Sequence, residues 1–196
     1  RQPRQRIVLD FATVVHVPLK TTWEVPADWT LENAATVPVV YATAYHALIV
    51  RARLRPGQSV LIHAGTGGVG QAAIRIALQR GCRVFTTCSS ESKRQFLLST
   101  FPGLTNEQIL NSRSASFETE VMRLTNGKGV NVVLNSLADE KLQASIRCVA
   151  QHGHFCEIGK YDIMEHTAID MHALVRNITI HGIDVELKER LVRYGI

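Results

Sequence analysis

Gly65-Thr66-Gly67-Gly68-Val69-Gly70 is the stretch of this sequence whose residue types and spacing most plainly offer chemistry. Its pattern is G-x-G-x-x-G. Ser59-Val60-Leu61-Ile62-His63-Ala64 before it is an apolar run of strand length. Gln71 to Arg80 after it reads as a helix with Ile74, Ala77 and Leu78 on one face; Gly81 closes that helix, and Cys82 to Thr87 reads as a second strand. Alone, the motif is a glycine-rich turn; between a strand and a helix it is a dinucleotide site. Gly65 permits a tight turn with no Cβ clash. Gly67 lets the backbone approach a pyrophosphate, and Gly70 lets the helix sit close on the sheet. The helix N-terminus offers free N–H groups and a positive dipole end to the phosphates. The whole loop, Thr66, Gly68 and Val69 included, is therefore expected to contact the cofactor.

The end of the second strand bears on which dinucleotide. An NAD site carries an Asp or Glu there for the ribose 2′-hydroxyl. This chain reads Cys88-Ser89-Ser90-Glu91-Ser92-Lys93-Arg94. A dianionic 2′-phosphate would be repelled by a carboxylate and welcomed by Ser89, Ser90, Lys93 and Arg94. Glu91 dissents, and is read as a helix-start residue complementing the helix dipole. The alternative for Lys93 and Arg94 is a solvated helix face. NADPH is the expected cofactor.

The elements that must position these residues alternate along the chain. Residues 5–17 alternate loosely and suggest strands. Trp29-Thr30 caps a short helix, Leu31–Ala35, and Pro38 opens a longer helix running to about Arg53. Helices are expected at Glu91–Thr100, Ser116–Leu124 and Ala138–Val149, with strands at Gly129–Asn135, Gly153–Ile158 and Asn177–Val185. Strands alternating with helices at this spacing give an α/β fold with a doubly wound parallel sheet, a Rossmann nucleotide-binding domain. The chain has 196 residues, 45% of them hydrophobic, enough for a sizeable core. No apolar run is read as membrane-spanning and no signal-peptide pattern opens the chain, so a cytoplasmic protein without membrane contact is expected. The net charge of +5 is dispersed; it suits anionic phosphate ligands and forms no patch that argues for nucleic acid. Cys82, Cys88, Cys148 and Cys156 show no C-x-x-C spacing and read as buried free thiols, with no metal site.

Four runs carry a resemblance to the medium-chain dehydrogenase/reductase superfamily: Val37 to Leu48, the glycine loop, Leu134-Asn135-Ser136-Leu137-Ala138, and Glu157-Ile158-Gly159-Lys160. More narrowly, Gly127 to Val130 and Asn135 to Ser145 resemble the enoyl reductase domain of animal type I fatty acid synthase. The resemblance covers about Trp23 to Gly182. It implies a piece of a multifunctional polypeptide: residues 1–40 a remnant of a GroES-like substrate-binding domain and the helix leading into the cleft, 41–186 the NADP-binding domain, and 187–196 the return to the substrate domain. It implies reduction of a trans-2-enoyl thioester on an acyl carrier protein, in a parent that is a homodimer through its last strand. A zinc-dependent member has a cysteine four residues before the threonine matching Thr43; here Val39 stands there and cannot bind zinc.

The same resemblance assigns the reacting end of the site. Lys160, at an expected strand end, is one of two candidate donors flanking the nicotinamide; its alternative is a surface lysine. The second is an acid after His181-Gly182, where Glu186 has the family spacing and Asp184 lies nearby on the same strand face. Thr43 lies near the nicotinamide or else packs its helix, and Asn135, Ser136 and Leu137 follow a strand end where the nicotinamide ribose would sit. The residues leave open a polyketide synthase reductase, a free-standing quinone or alkenal reductase, and an inactive cofactor-binding fragment.

Overall fold

The structure, a computed structural model, describes residues 24–185. The expected strands at 5–17 and Glu186 with the residues after it lie outside the described residues.

The helices are α1 (Leu31–Ala35), α2 (Pro38–Tyr45, continuing as a wider π-helical turn over His46–Arg51), α3 (Gly68–Gln79), α4 (Glu91–Thr100), α5 (Phe117–Leu124), α6 (Glu140–Arg147) and α7 (Lys160–Met164). The strands are β1 (Ser59–Ile62), β2 (Arg83–Cys88), β3 (Ile109–Asn111), β4 (Val130–Asn135), β5 (Val149–Glu157) and β6 (Thr179–Gly182). They form one sheet in the order β3-β2-β1-β4-β5-β6. Every pairing is parallel. This is the doubly wound order, with its switch point between β1 and β4, and the expected fold class stands.

Helices cover both faces, which is why the strands read as unbroken apolar runs. Val60, Ile62, Val132 and Leu134 pack toward α2 and α3, with Ala44, Ala47, Leu48, Ile74 and Ala77. Leu61, Phe85, Val133 and Phe155 pack the other way, with Phe117, Val121, Leu142 and Ile146 of α5 and α6. Local signals set the helix ends. Thr30 accepts from the Asn33 N–H at the start of α1, and Ser90 from the Lys93 N–H at the start of α4. Gly81, at φ +69°, ends α3 in the left-handed conformation that a side chain resists.

Several expectations are corrected. β3 went unread because its three residues carry no usable periodicity. β5 starts at Val149 rather than Gly153; a register shift opposite Val130–Val132 absorbs the extra residues. Lys160 opens α7 rather than ending a strand, and Tyr161 and Asp162 lie in that helix. The helical stretch Leu31–Arg51 is 21 residues long with mean hydropathy 1.2, long and apolar enough by composition to cross a membrane, contrary to expectation. Here a turn at Thr36 and Pro38 interrupt it, and Ala44, Ala47 and Leu48 are fully buried in the core. All four cysteines are buried free thiols, as expected, and burial pushes Cys148 and Cys156 up to about 12.

One buried polar cluster ties the sheet to α6 beneath the glycine loop. His63 Nδ1 lies 3.1 Å from Thr87 Oγ1, and its Nε2 lies 2.8 Å from Ser145 Oγ, which donates to Lys141 O. Burial holds the imidazole neutral, with its pKa lowered to about 3. The unfolded chain therefore binds a proton that the folded chain refuses between about pH 6.5 and pH 3. Stability is full above that window and is lost as pH falls into it. Denaturant titrations of the reductase domain at pH 7 and pH 5 should differ by about 2 kcal/mol from this group. The difference should shrink in His63→Gln; an unchanged difference would refute the assignment.

Candidate functional site

The C-terminal ends of β1 and β4 open at the switch point, where a doubly wound sheet holds its ligand. The glycine loop turns here. Gly65 N–H donates to Thr87 O and Gly67 N–H to Ala64 O, each at 2.9 Å. The positive φ of this turn falls on Ala64, at +52°, and not on Gly65. Gly65 is instead fixed by space, because a Cβ there would overlap the Thr86 hydroxyl. A Cβ on Gly70 would overlap the Ala64 carbonyl, so α3 can lie against the loop only with glycine there. A Cβ on Gly68 would come within 2.8 Å of Val40 of α2. α3 begins at Gly68, earlier than expected, with Gly67 as its N-cap and no side chain capping it. Its first-turn N–H groups, from Gly68, Val69 and Gly70, thus face outward for an anion. Thr66 O accepts from Gln71 Nε2 at 2.8 Å, which holds the loop shut on its helix. These residues fit a pyrophosphate.

At the end of β2 the expected cluster is only partly assembled. Lys93 Nζ donates to Ser89 Oγ at 3.3 Å, and Ser90 is the N-cap of α4. Arg94 is turned away: its Nη1 donates to Asn106 O and Oδ1 at 2.9 and 3.2 Å, and its Nε lies 3.5 Å from Glu91. Glu91 is the first residue of α4, the helix-start role read for it. A second cation near Ser89 is Arg113, which the sequence pattern did not single out. Its Nε donates to Ser89 O at 2.7 Å, placing a guanidinium at the terminus of β2. Its only sequence signal is its place just past a strand that the reading also missed.

The ends of β4 and β5 form the other half. Asn135 is fully buried and spent within the protein: Nδ2 donates to Leu137 O at 2.7 Å and to Glu157 Oε2 at 2.6 Å, and Oδ1 accepts from Leu137 N–H. It shapes the loop and does not reach for a ribose, so its expected role is corrected. Ser136 is exposed at the bend, and Leu137 is held by the Asn135 side chain. Glu157, also unread, accepts from Asn135 and, through Oε1, from Gly159 N–H at 2.6 Å. One buried carboxylate thus fixes both loops that border the switch point. Lys160 follows at the exposed start of α7. Glu157 pairs with Gly182, and Ile183 N–H donates to Glu157 O at 2.8 Å, so Asp184 lies just past the same sheet edge as Lys160. Glu186 is outside the described residues. Thr43 is buried on α2 and its hydroxyl donates to Val39 O at 2.7 Å, a helix-packing bond.

The described residues do not fit a zinc centre. Val39 offers no donor, the four cysteines are core thiols, and no group of three His, Cys, Asp or Glu side chains converges among the described residues.

The switch-point cleft, the uncapped helix and the packed glycines together define the nucleotide-binding half of a dinucleotide-dependent oxidoreductase. Residues 68–191 match the zinc-binding dehydrogenase family. The chain belongs to that family, within the medium-chain dehydrogenase/reductase enoyl reductases. It is 45% identical over 175 residues to the highly reducing polyketide synthase poxF of Penicillium oxalicum, covering 89% of this chain and 7% of that protein. It is 45% identical over 161 residues to the lovastatin diketide synthase lovF of Aspergillus terreus, covering 82% and 6%. The chain thus spans a small fraction of the length of these curated relatives. Among solved structures, the nucleotide-binding subdomain of the enoylreductase domain of PpsC from Mycobacterium tuberculosis matches with TM-score 0.71 and 41% identity, over 78% of this chain and 83% of that one. The CurK enoyl reductase matches with TM-score 0.77 and 35% identity, over 90% and 51%. A putative enoyl reductase domain of polyketide synthase matches with TM-score 0.70 and 41% identity, over 78% of this chain and 82% of that one; with poxF, it supports the polyketide reading above the fatty acid synthase reading.

Proposed function

We propose that this chain is the cofactor half of an NADPH-dependent enoyl reductase within a reducing polyketide synthase, acting on a trans-2-enoyl thioester carried by an acyl carrier protein. The observation that carries this reading is the pairing of a glycine-packed, uncapped α3 with Ser89, Lys93 and Arg113 at the end of β2. NADPH, when bound, supplies a hydride to the substrate β-carbon. Gly65 to Gly70 hold its pyrophosphate, and Lys93 and Arg113 its 2′-phosphate. The Glu157–Asn135 bond sets the loops around the nicotinamide end. Conjugate reduction would shift the C=C π pair into a bond between the α-carbon and the thioester carbon and push the carbonyl π pair onto oxygen, so the protein must stabilise that oxygen and deliver a proton to the α-carbon. Lys160 stands where it can stabilise that oxygen or give that proton, with Asp184 at the same edge.

β6 is an edge strand among the described residues, and Ile180 gives it apolar character. Such an edge invites pairing with a second copy, which supports a homodimer of the parent. The polypeptide containing the whole reductase region should oxidise NADPH with a crotonyl thioester, prefer NADPH to NADH, and sediment as a dimer. Absence of NADPH-dependent reduction would overturn the enzymatic reading. An active monomer would overturn only the assembly.

A further inference from the structure

Between α2 and β1 the chain reads Arg51-Ala52-Arg53-Leu54-Arg55. Ala52 and Leu54 are 2% and 1% exposed and anchor the segment in the core, so the three arginines between and beside them are turned outward. They line a single cleft of about 470 Å³ together with Gln58, His154 and His181. Among the described residues, no carboxylate lines it and none of the three guanidiniums forms an ion pair. Arg53 sits at φ +52°, a conformation that strains an arginine and would not strain a glycine.

The floor of the cleft comes from the sheet. His154 of β5 is level with Thr179, and His181 of β6 with Cys156. The rings stack with centroids 5.3 Å apart, and His154 Nδ1 lies 3.0 Å from His181 Nε2. One ring must donate and the other accept, so each keeps a second nitrogen that this bond does not use. Burial, then Arg53, lowers the pKa of His154; burial, then His154 and Arg51, lowers that of His181. Cys156, two residues further along β5, donates its thiol to Ala47 O. Register sets the location: His154 is level with Val132, and Val132 with Val60 near the start of β1. His181, level with Cys156, Leu134 and Ile62, lies further along the strands, whereas Arg51, Arg53, Arg55 and Gln58 all precede β1, so the cleft opens on the side where the chain enters β1, and Gly65–Gly70 follow the strand.

We propose that this cleft is a second anion site, distinct from the dinucleotide edge, which binds a free phosphate-bearing small molecule through the Arg51, Arg53 and Arg55 guanidiniums and the His154–His181 pair. Guanidinium forks match phosphate oxygens. Three positive charges with no carboxylate partner among the described residues favour a multiply charged anion over a monocarboxylate. A bound polyanion also offsets the arginines beside the rings and favours a further proton on the pair, so binding takes up protons.

The test uses the intact reductase-containing polypeptide, titrated calorimetrically with inorganic pyrophosphate at pH 6.5, with and without saturating NADP⁺ to fill the dinucleotide edge. Pyrophosphate should bind in both conditions. Its affinity should fall about tenfold in Arg55→Gln and in Arg53→Gly, the loss of one charge-assisted contact in each. Arg53→Gly relieves the left-handed strain, so its loss of affinity cannot come from unfolding. The binding heat should vary with the ionisation enthalpy of the buffer, and that variation should shrink in His181→Gln. No pyrophosphate binding, binding abolished by NADP⁺, or unchanged affinity in both arginine variants would each overturn the site.

Discussion

Replacing Lys93 and Arg113 together by alanine should raise the NADPH dissociation constant about a hundredfold, while NADH binding stays within about twofold. Each cation can supply one charge-assisted contact to the 2′-phosphate, and each such contact is worth about tenfold at an accessible site. NADH lacks that phosphate and loses nothing. The geometry also separates two readings of the same sequence. Lys93 and Arg94 look equivalent on paper, yet Lys93 reaches Ser89 whereas Arg94 is spent on Asn106 and Glu91. Arg94→Ala should therefore leave the preference for NADPH over NADH nearly intact, and Arg113→Ala should reduce it. Fluorescence titration of both nucleotides against the three variants measures this. Equal losses for NADPH and NADH would show that the pair supports α4 and does not read the phosphate.

The contrast between Arg94 and Arg113 shows what sequence can carry. The glycine loop was legible because a strand, a turn and a helix follow in direct succession and Gly70 packs on the nearby Ala64 carbonyl, although Gly65 and Gly68 face the distant Thr86 and Val40. The parallel sheet was legible because strands covered on both faces leave uninterrupted apolar runs. Arg113 was not legible, because its contact with Ser89 spans 24 positions and depends on the register of β2 with a three-residue strand. Asn135 was found but misassigned for the same reason. Nothing near it in sequence reveals that Glu157, 22 positions away, claims its amide. Lys160 kept its place at the ligand edge although its element changed from strand end to helix start, because the expected strand end at Ile158 and the observed one at Glu157 differ by a single residue. The basic cleft had its components in plain view, with three arginines alternating in five residues. Only the β5–β6 register brings His154 and His181 beneath them.

Lys160→Ala in the intact reductase should lower kcat by about tenfold to a thousandfold, the range that follows loss of one oxyanion donor or general acid. NADPH binding should survive, because the pyrophosphate contacts lie at Gly65–Gly70, after β1, whereas Lys160 follows β5. Lys160→Arg keeps the charge and should recover part of the loss if the role is electrostatic. It should recover little if Lys160 gives up a proton, because a guanidinium holds its proton too tightly near neutral pH. Asp184→Asn, measured beside it, reports whether the carboxyl at the same edge shares the work; Glu186→Gln tests the acid at the family spacing. Deuterated NADPH and D₂O separate the two bond-making events. Loss of the proton donor should enlarge the solvent isotope effect and leave the hydride isotope effect small, since protonation then limits turnover. Loss of mere positioning should enlarge the hydride effect alone. A kcat within about twofold of the parent would make Lys160 a surface lysine at the start of α7. Abolished NADPH binding would move it into the cofactor site.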